Sequence, residues 1–289
     1  MRHDEDPPGT LGSFLLPQGF RRPAVREVVR EASVVAEAVR YAALHRAERS
    51  AARATSYALR SANRGGDPVL LVPGFMAGDY SLAGMARMLR GRGYRTYRSQ
   101  ISANVGCTLD AASALEARLE SIAIRRGTRV SIVGHSLGGM LARGLAVRRP
   151  DLVAGIVTMG SPMLAPGAHH VALTAGVEAL VRLSRAGLPG MMSEECVAGA
   201  CARQSFEESR EPMPEGVGFT AVYSKRDGIV DWRACVDPEA RAVEVTASHV
   251  GMALDPRVID EVTEALALHG DRRRGSWRSA LEVDRGESA

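Results

Sequence analysis

The fold class of this chain is decided by the stretch Val130-Ser131-Ile132-Val133-Gly134-His135-Ser136-Leu137-Gly138-Gly139, residues 130–139. It opens with a short, mostly apolar run typical of a strand buried on both faces of a parallel sheet. Apolar residues then recur at helical spacing from Met140 to Val147, until Pro150 ends the helix. A serine held between two glycines at such a turn exposes its hydroxyl to a neighbouring base. The stretch predicts a nucleophile, Ser136, and the alternative is an ordinary serine in a glycine-rich turn.

The composition excludes several functional classes. With 289 residues, of which 45% are hydrophobic, the chain can form one large α/β domain or two small ones. The net charge of +4 is modest and the aromatic content is only 4%, so we expect no nucleic-acid partner. The chain has no H-E-x-x-H, P-loop or G-x-G-x-x-G motif. We therefore expect neither a metal nor another cofactor.

The N-terminus and the cysteines bear on localisation. Residues 1–8 contain no apolar segment behind a basic start, and no stretch approaches the roughly eighteen apolar residues that span a bilayer. We therefore expect a cytoplasmic protein. Cys107, Cys196, Cys201 and Cys235 lack metal-ligand spacing, and we expect free thiols, although Cys196 and Cys201 could pair in an oxidising compartment.

The N-terminal part of the chain, residues 1–66, is predicted to be a flexible leader (1–23) followed by a helical arm. A helix is predicted from Ala24 to Ala62. Ten arginines stand against four glutamates between Arg21 and Arg64. This basic arm either makes peripheral contact with an anionic membrane surface or packs across the main domain with its arginines in solvent, and we favour the second. Its apolar stripe consists of Val25, Val28, Val29, Ala32, Val35, Ala36 and Val39.

Strands and helices alternate over the main domain, residues 67–269. Strands are predicted at 69–72, 95–98, 130–133, 153–159, 218–223 and 242–245, and helices at 81–90, 109–126, 136–149 and 256–269. This alternation predicts an α/β fold with a mostly parallel, doubly wound sheet of about six strands. Ligands then bind at the carboxyl ends of the strands. The tail, 270–289, has a composition typical of disorder.

One interval breaks the alternation. Residues 162–216 separate two strands, far more than the two to six residues typical of such connections. The interval contains an amphipathic helix, Val171 to Ser184, followed by a segment with two methionines. It is either a passive insertion or a cap over the active site with an apolar acyl pocket, and its place at a strand end favours the cap.

A serine nucleophile needs a histidine base and an acid that orients the histidine. Where the serine occupies a strand-to-helix turn of this kind, the acid follows it along the chain and the histidine follows the acid. His249 follows the last strand immediately and is the candidate base. Asp227 lies just beyond the preceding strand and is the favoured acid, with Asp231 as its rival. His169 and His170 lie in the insertion, where they could touch substrate, but capping of a helix start is the favoured interpretation.

The oxyanion hole needs backbone donors. The N–H after the nucleophile belongs to Leu137, and the loop after the first core strand, residues 73–78, offers the N–H of Phe75. The side chain of Met76 could line the acyl pocket. In the insertion, Met163 and Leu164 are further candidate substrate-binding residues.

With these segments together, the chain resembles the α/β-hydrolase superfamily, and within it the bacterial lipase and esterase group. The resemblance covers 67–269 and rests on VLLVPGF (69–75), IVGHSLGGM (132–140), YSKRDGIVDW (223–232) and SHVGM (248–252). In such lipases a histidine often stands where this chain has Pro73. The resemblance implies the Ser136, Asp227 and His249 triad more firmly than it implies a substrate.

The sequence therefore predicts a serine hydrolase acting on carboxylic esters, with a small-molecule or lipid-like apolar substrate. Acyl transfer through the same acyl-enzyme is one alternative, since the residues do not reveal whether water or another acceptor completes the reaction. A catalytically silent binding protein on the same scaffold is another.

Overall fold

Six parallel strands form the centre of the molecule. The computed structural model describes residues 11–55 and 66–270, with side chains over 11–47 and 66–270. The strands form one sheet in the order β2-β1-β3-β4-β5-β6. Their bounds are β1 Pro68–Val72, β2 Arg95–Arg98, β3 Val130–His135, β4 Val153–Met159, β5 Gly218–Ser224 and β6 Arg241–Val245. The predicted parallel α/β sheet of about six strands is confirmed.

Helices cover both faces of the sheet. Their bounds are α1 Val34–Thr55, α2 Ala83–Gly91, α3 Thr108–Arg126, α4 Leu137–Arg148, α5 Val171–Arg185, α6 Glu194–Val197, α7 Ala200–Glu208 and α8 at 256–270. Alternate residues of β1 enter two different cores because side chains of a strand point to opposite faces. Val69 and Leu71 pack with α2 and α8, whereas Leu70 and Val72 pack with α3 and α4.

The strand order places two loops side by side. The chain crosses from the edge strand β2 over β1 to β3, so the loops after β1 and β3 leave neighbouring strands in different directions. Such a switch point opens a crevice at the carboxyl ends of the strands. The loop after β1 carries Phe75, and the turn after β3 carries Ser136.

The arm, residues 25–55, differs from the prediction of one continuous α-helix. It begins as a 3₁₀-helix, Val25–Ser33, and continues as α1, while 56–62 lie outside the described residues. Most of the predicted apolar stripe faces away from the main domain. Four of its valines are 62–73% exposed, namely Val25, Val29, Val35 and Val39, whereas Val28 is half-buried. Carboxylates on the opposite side accept hydrogen bonds from loops of the main domain, and these contacts fix the rotation of the arm.

Part of the predicted flexible leader is packed against the insertion. The N–H of Gly12 donates to the carbonyl of Val197 at 3.0 Å, and Leu15 is buried. The backbone of Leu15 in turn accepts the N–H of Gly167 at 2.6 Å. Residues 11–23 therefore do not fit the prediction of a flexible leader, because their apolar side chains fill a gap beside the insertion. Residues 1–10 and 271–289 lie outside the described part, so the predicted disordered tail stays a prediction.

The insertion between β4 and β5 contains α5, α6 and α7. α5 ends one residue beyond the predicted Ser184. Its buried side chains form a separate small core with those of α6. The members of this core include Val177, Leu180, Val181, Met192 and Val197. The insertion therefore has an apolar core of its own, apart from the two that flank the sheet.

Candidate active site

Ser136 stands at a strained turn between β3 and α4. Its backbone has φ 51° and ψ −122°, a conformation that L-residues rarely adopt, and such strain is typical of functional sites. A β-carbon at Gly134 would lie 2.4 Å from the carbonyl oxygen of Gly138, so the turn requires glycine there. The N–H of Ser136 donates to Met159 O on β4 at 2.8 Å. The serine is thereby anchored at the end of two central strands.

His249 and Asp227 form a buried pair. Asp227 follows β5, His249 follows β6, and the imidazole Nδ1 lies 2.7 Å from Asp227 Oδ2. The other carboxylate oxygen, Oδ1, accepts the N–H groups of Ile229 and Val230, both at 2.8 Å. These bonds hold the carboxylate in its own loop, with one oxygen free to orient the imidazole.

The rival acid, Asp231, is engaged elsewhere. Its Oδ2 accepts the N–H of Arg21 at 3.2 Å, and its Oδ1 accepts the N–H and the guanidinium of Arg233. Asp231 also begins the short 3₁₀-helix Trp232–Cys235 as its N-cap. The geometry thus brings His249 to Asp227 and gives Asp231 a capping position.

The charge state of His249 reflects opposing influences. Burial disfavours the imidazolium and lowers the pKa, but the charge of Asp227, its hydrogen bond and the charge of Glu31 outweigh burial. The pKa of His249 is therefore raised. His135, whose ring centroid is 4.9 Å away, behaves oppositely: burial and the neighbouring His249 lower its pKa to about 4. At neutral pH His135 is uncharged.

The loop after β1 is held by Asn104. Its side-chain amide donates to Pro73 O at 3.0 Å, and its carbonyl accepts the N–H of Met76 at 3.0 Å. Asn104 thus supplies hydrogen bonds on both sides of Phe75 in this loop. Within 11–55 and 66–270, no protein acceptor is present for the N–H groups of Phe75 and Leu137. Both predicted oxyanion donors are free in the described structure.

Two apolar cavities meet at Ser136. The first, here called the insertion cavity, has a volume of about 140 Å³ and lies between Ser136 and the insertion. The second, here called the histidine cavity, has a volume of about 490 Å³ and is lined by both Ser136 and His249. Phe75 and Leu173 also line both cavities. A bound molecule could therefore extend to either side of the serine.

The predicted substrate-binding residues are placed differently. Met76 lines the histidine cavity. Met163 and Leu164 line neither cavity, because the N–H of Leu164 donates to Ala234 O and Met163 is only 1% exposed. This segment is turned into the main domain, away from both cavities. Pro162, the residue before it, does line the insertion cavity.

The two histidines of the insertion have different positions. His170 is the N-cap of α5, and its Nδ1 accepts the N–H of Ala172 at 3.1 Å, in agreement with the favoured interpretation. His169 lines the insertion cavity, and burial lowers its pKa. A neutral imidazole in this wall adds a polar group to a largely apolar surface.

Three further residues contact the pair or the loops that carry it, and they were not predicted from the sequence. His135 Nε2 lies 2.9 Å from the carbonyl oxygen of His249. Glu31 and Glu37, both on the arm, bind the loops that carry Asp227 and His249. The only available signal was the spacing of acidic residues on a basic arm, which does not specify which loop an arm contacts.

The described residues give no sign of a metal site or of a membrane span. Over 11–55 and 66–270, no cluster of three metal-ligating side chains is present. No helix in the same residues has the length and apolarity needed to cross a bilayer. The four cysteines are free thiols.

Comparisons with known proteins place this chain in a family. A model described as the alpha/beta hydrolase family matches residues 69–281. A triacylglycerol lipase of Vibrio cholerae serotype O1 is 32% identical over 140 residues, which cover 46% of this chain and 40% of the lipase. The matched part is thus less than half the length of that relative.

Solved structures show the same fold. Bacillus licheniformis lipase BlEst2 in its mature form has a TM-score of 0.55 and 16% identity, covering 70% of this chain and 92% of that chain. Its propeptide form has a TM-score of 0.52 and 15% identity, covering 69% of this chain and 50% of that chain. At these identities the likeness is one of fold alone.

Proposed function

The chain belongs to the α/β hydrolase family, and on that premise we propose that it is a serine hydrolase that cleaves carboxylic esters with an apolar acyl group. The observation that carries the proposal is a shared cavity: strained Ser136 and the Asp227-bound His249 line the same space. The matched triacylglycerol lipase supports an ester as substrate.

The reaction proceeds through an acyl-enzyme. His249 Nε2 takes the proton of the Ser136 hydroxyl, and Ser136 Oγ attacks the ester carbonyl. Asp227 keeps the imidazole in the required tautomer and stabilises the imidazolium. The N–H groups of Phe75 and Leu137 stabilise the oxyanion, each contributing about 3 kcal/mol. His249 then protonates the leaving alcohol, and water deprotonated by the same imidazole releases the acid.

We assign the two parts of the ester to the two cavities. The leaving alcohol takes its proton from His249, so it occupies the histidine cavity, which His249 lines. The acyl chain then occupies the insertion cavity, whose lining is largely apolar, with Val177 and Phe206 in its wall. In this role the insertion serves as a cap over the acyl site.

The test is a panel of aryl esters of graded acyl length, run on the wild type and on Ser136→Ala. We expect hydrolysis by the wild type, covalent labelling by a fluorophosphonate, and neither with Ser136→Ala. Full activity of Ser136→Ala, together with an unlabelled wild type, contradicts the proposal. Product analysis with competing alcohols separates hydrolysis from acyl transfer, and tight ester binding without turnover identifies a silent binding protein.

We also propose peripheral contact of the arm with an anionic lipid surface. Four of its valines are 62–73% exposed, and exposed arginines stand beside them, so apolar and cationic groups face the same solvent. Replacement of Val25 and Val29 by serine should reduce sedimentation with anionic vesicles, whereas replacement of exposed Ile124 on α3 should not. Equal sedimentation of all three proteins, or none of the wild type, overturns this contact.

A further inference from the structure

The arm inserts a carboxylate between the loops of the two residues that form the buried pair. Glu31 Oε1 accepts the N–H of Gly228 at 2.9 Å and the N–H of His249 at 3.0 Å. Its second oxygen, Oε2, accepts the N–H of Val250 at 3.1 Å. Gly228 is the neighbour of Asp227, so one side chain binds the loops of both the acid and the base.

A second carboxylate of the arm binds the same loop from the other side. Glu37 is 1% exposed, and its Oε1 accepts the N–H of Ser248 at 2.8 Å while Oε2 accepts the Ser248 hydroxyl at 2.6 Å. Ser248 immediately precedes His249. The residues on both sides of His249, and His249 itself, therefore donate their N–H groups to the arm.

These contacts suit a positioning role. Hydrogen bonds to a carboxylate are shorter and stronger than neutral ones. The three donors of Glu31 come from loops that follow different strands, β5 and β6, so the carboxylate fixes their separation. Without it, two buried loop segments would have unpaired N–H groups and could move apart.

We propose that Glu31 is a positioning residue for Asp227 and His249, and that the N-terminal arm is thereby a working part of the active site. This inference depends on the proposed function of Ser136, Asp227 and His249. Glu31 touches no reacting atom; it acts through the backbone of the histidine loop and through the neighbouring charge.

The groups that face the His249 ring determine how removal of the Glu31 charge changes the pKa of His249. Asp227 lies at Nδ1, His135 packs on the ring from the end of β3, and the charge of Glu31 approaches from the arm. His135 is neutral at ordinary pH because its pKa is lowered to about 4. Removing the charge of Glu31 should therefore lower the pKa of His249.

The experiment compares Glu31→Gln and Glu31→Asp with the matched control Glu27→Gln. Glu27 lies on the same 3₁₀-helix, and its carboxylate binds Ala24 N–H and Arg21 within the N-terminal segment. For Glu31→Gln we expect kcat to fall about ten- to a hundredfold while KM changes little, since a misplaced catalytic group impairs the chemical step. The acid limb of kcat/KM should move to lower pH.

Further measurements separate positioning from a structural role. Glu31→Asp should recover part of kcat because it restores the charge, and Glu27→Gln should keep the wild-type kcat and pH profile. The inference is overturned if Glu31→Gln loses thermal stability but keeps both kcat and the acid limb. It is also overturned if Glu27→Gln loses kcat as strongly as Glu31→Gln.

A measurement that needs no substrate turnover tests this inference separately from the proposed function. The His249 ring protons can be titrated by NMR in the intact chain, with the signal assigned by its loss in His249→Asn. We expect a lower pKa in Glu31→Gln than in the wild type and an unchanged pKa in Glu27→Gln. If no ester is hydrolysed, the proposed function fails; an unchanged His249 pKa in Glu31→Gln overturns the positioning role.

Discussion

His135 Nε2 lies 2.9 Å from the carbonyl oxygen of His249, so the residue before Ser136 supports the backbone of the proposed base. The two rings also pack with centroids 4.9 Å apart. Because the pKa of His135 is lowered to about 4, its imidazole is neutral, and Nε2–H donates to the carbonyl. The turn after β3 thus positions both the serine and the histidine loop.

Replacing His135 by phenylalanine should lower kcat. The ring shape is largely kept, but the carbonyl of His249 loses its donor inside a buried site, at a cost in stability of about 1–3 kcal/mol. We expect kcat for an aryl ester to fall about tenfold with KM little changed. His135→Gln, which keeps an N–H donor, should recover part of the loss. Equal kcat for His135→Phe and the wild type would show that this contact has no catalytic role.

The pH dependence follows from the raised pKa of His249. The imidazole accepts the serine proton only when it is neutral, and its pKa lies above the ordinary value of about 6.5. Activity should therefore fall as pH decreases through that raised pKa. The measurement is kcat/KM against pH for an ester of a non-ionising alcohol, with acid release followed by titration. A midpoint at or below the ordinary histidine value contradicts this prediction.

Gly160, at the end of β4, leaves space for the buried pair. A β-carbon there would lie 3.0 Å from His249 Nδ1 and 3.3 Å from Asp227 Oδ2, and the residue has φ 57°. Gly160→Ala should cost about 1–2 kcal/mol from backbone strain. It should also lower kcat, because the imidazole must move away from Asp227.

The control for this change is Gly187→Ala in the insertion. Gly187 has φ 88°, and a β-carbon added there would meet no atom within 4 Å, so it has similar backbone strain without a clash. We expect a comparable loss in thermal unfolding and an unchanged kcat. If Gly187→Ala lowers kcat as much as Gly160→Ala, strain rather than the clash with His249 explains the effect.

Narrowing the insertion cavity should change acyl preference. Val177 lies in its wall on α5 and is buried. Val177→Phe should lower kcat/KM for long acyl chains relative to short ones by about tenfold or more. Leu183→Phe, on the same helix at a 41% exposed position, should leave the ratio unchanged. An unaltered ratio for Val177→Phe would place the acyl chain outside this cavity.

The central strands could be predicted because their sequences are continuous apolar runs. The predicted bounds of β4, Val153 to Met159, match the structure because every residue of this strand is buried and apolar or small. The arm shows the limit of such patterns. Its valines suggested an apolar contact face, yet four of them point to solvent, because the carboxylates of Glu31 and Glu37 bind the histidine loop more than two hundred positions away. The spacing of apolar residues predicts which residues share a face of a helix, but it does not predict whether that face contacts the main domain or solvent.

The sequence by itself determined the succession of strands and helices, the turn around Ser136 and the short set of candidate partners, since these depend on local spacing and on chain order. Only the tertiary structure paired His249 with Asp227 rather than with Asp231, turned Met163 and Leu164 away from the cavities, and brought Glu31 to the histidine loop. Each of these depends on which loops meet at the carboxyl ends of the central strands. That meeting is set by packing between distant segments, for which the spacing of residues along the chain carries no information.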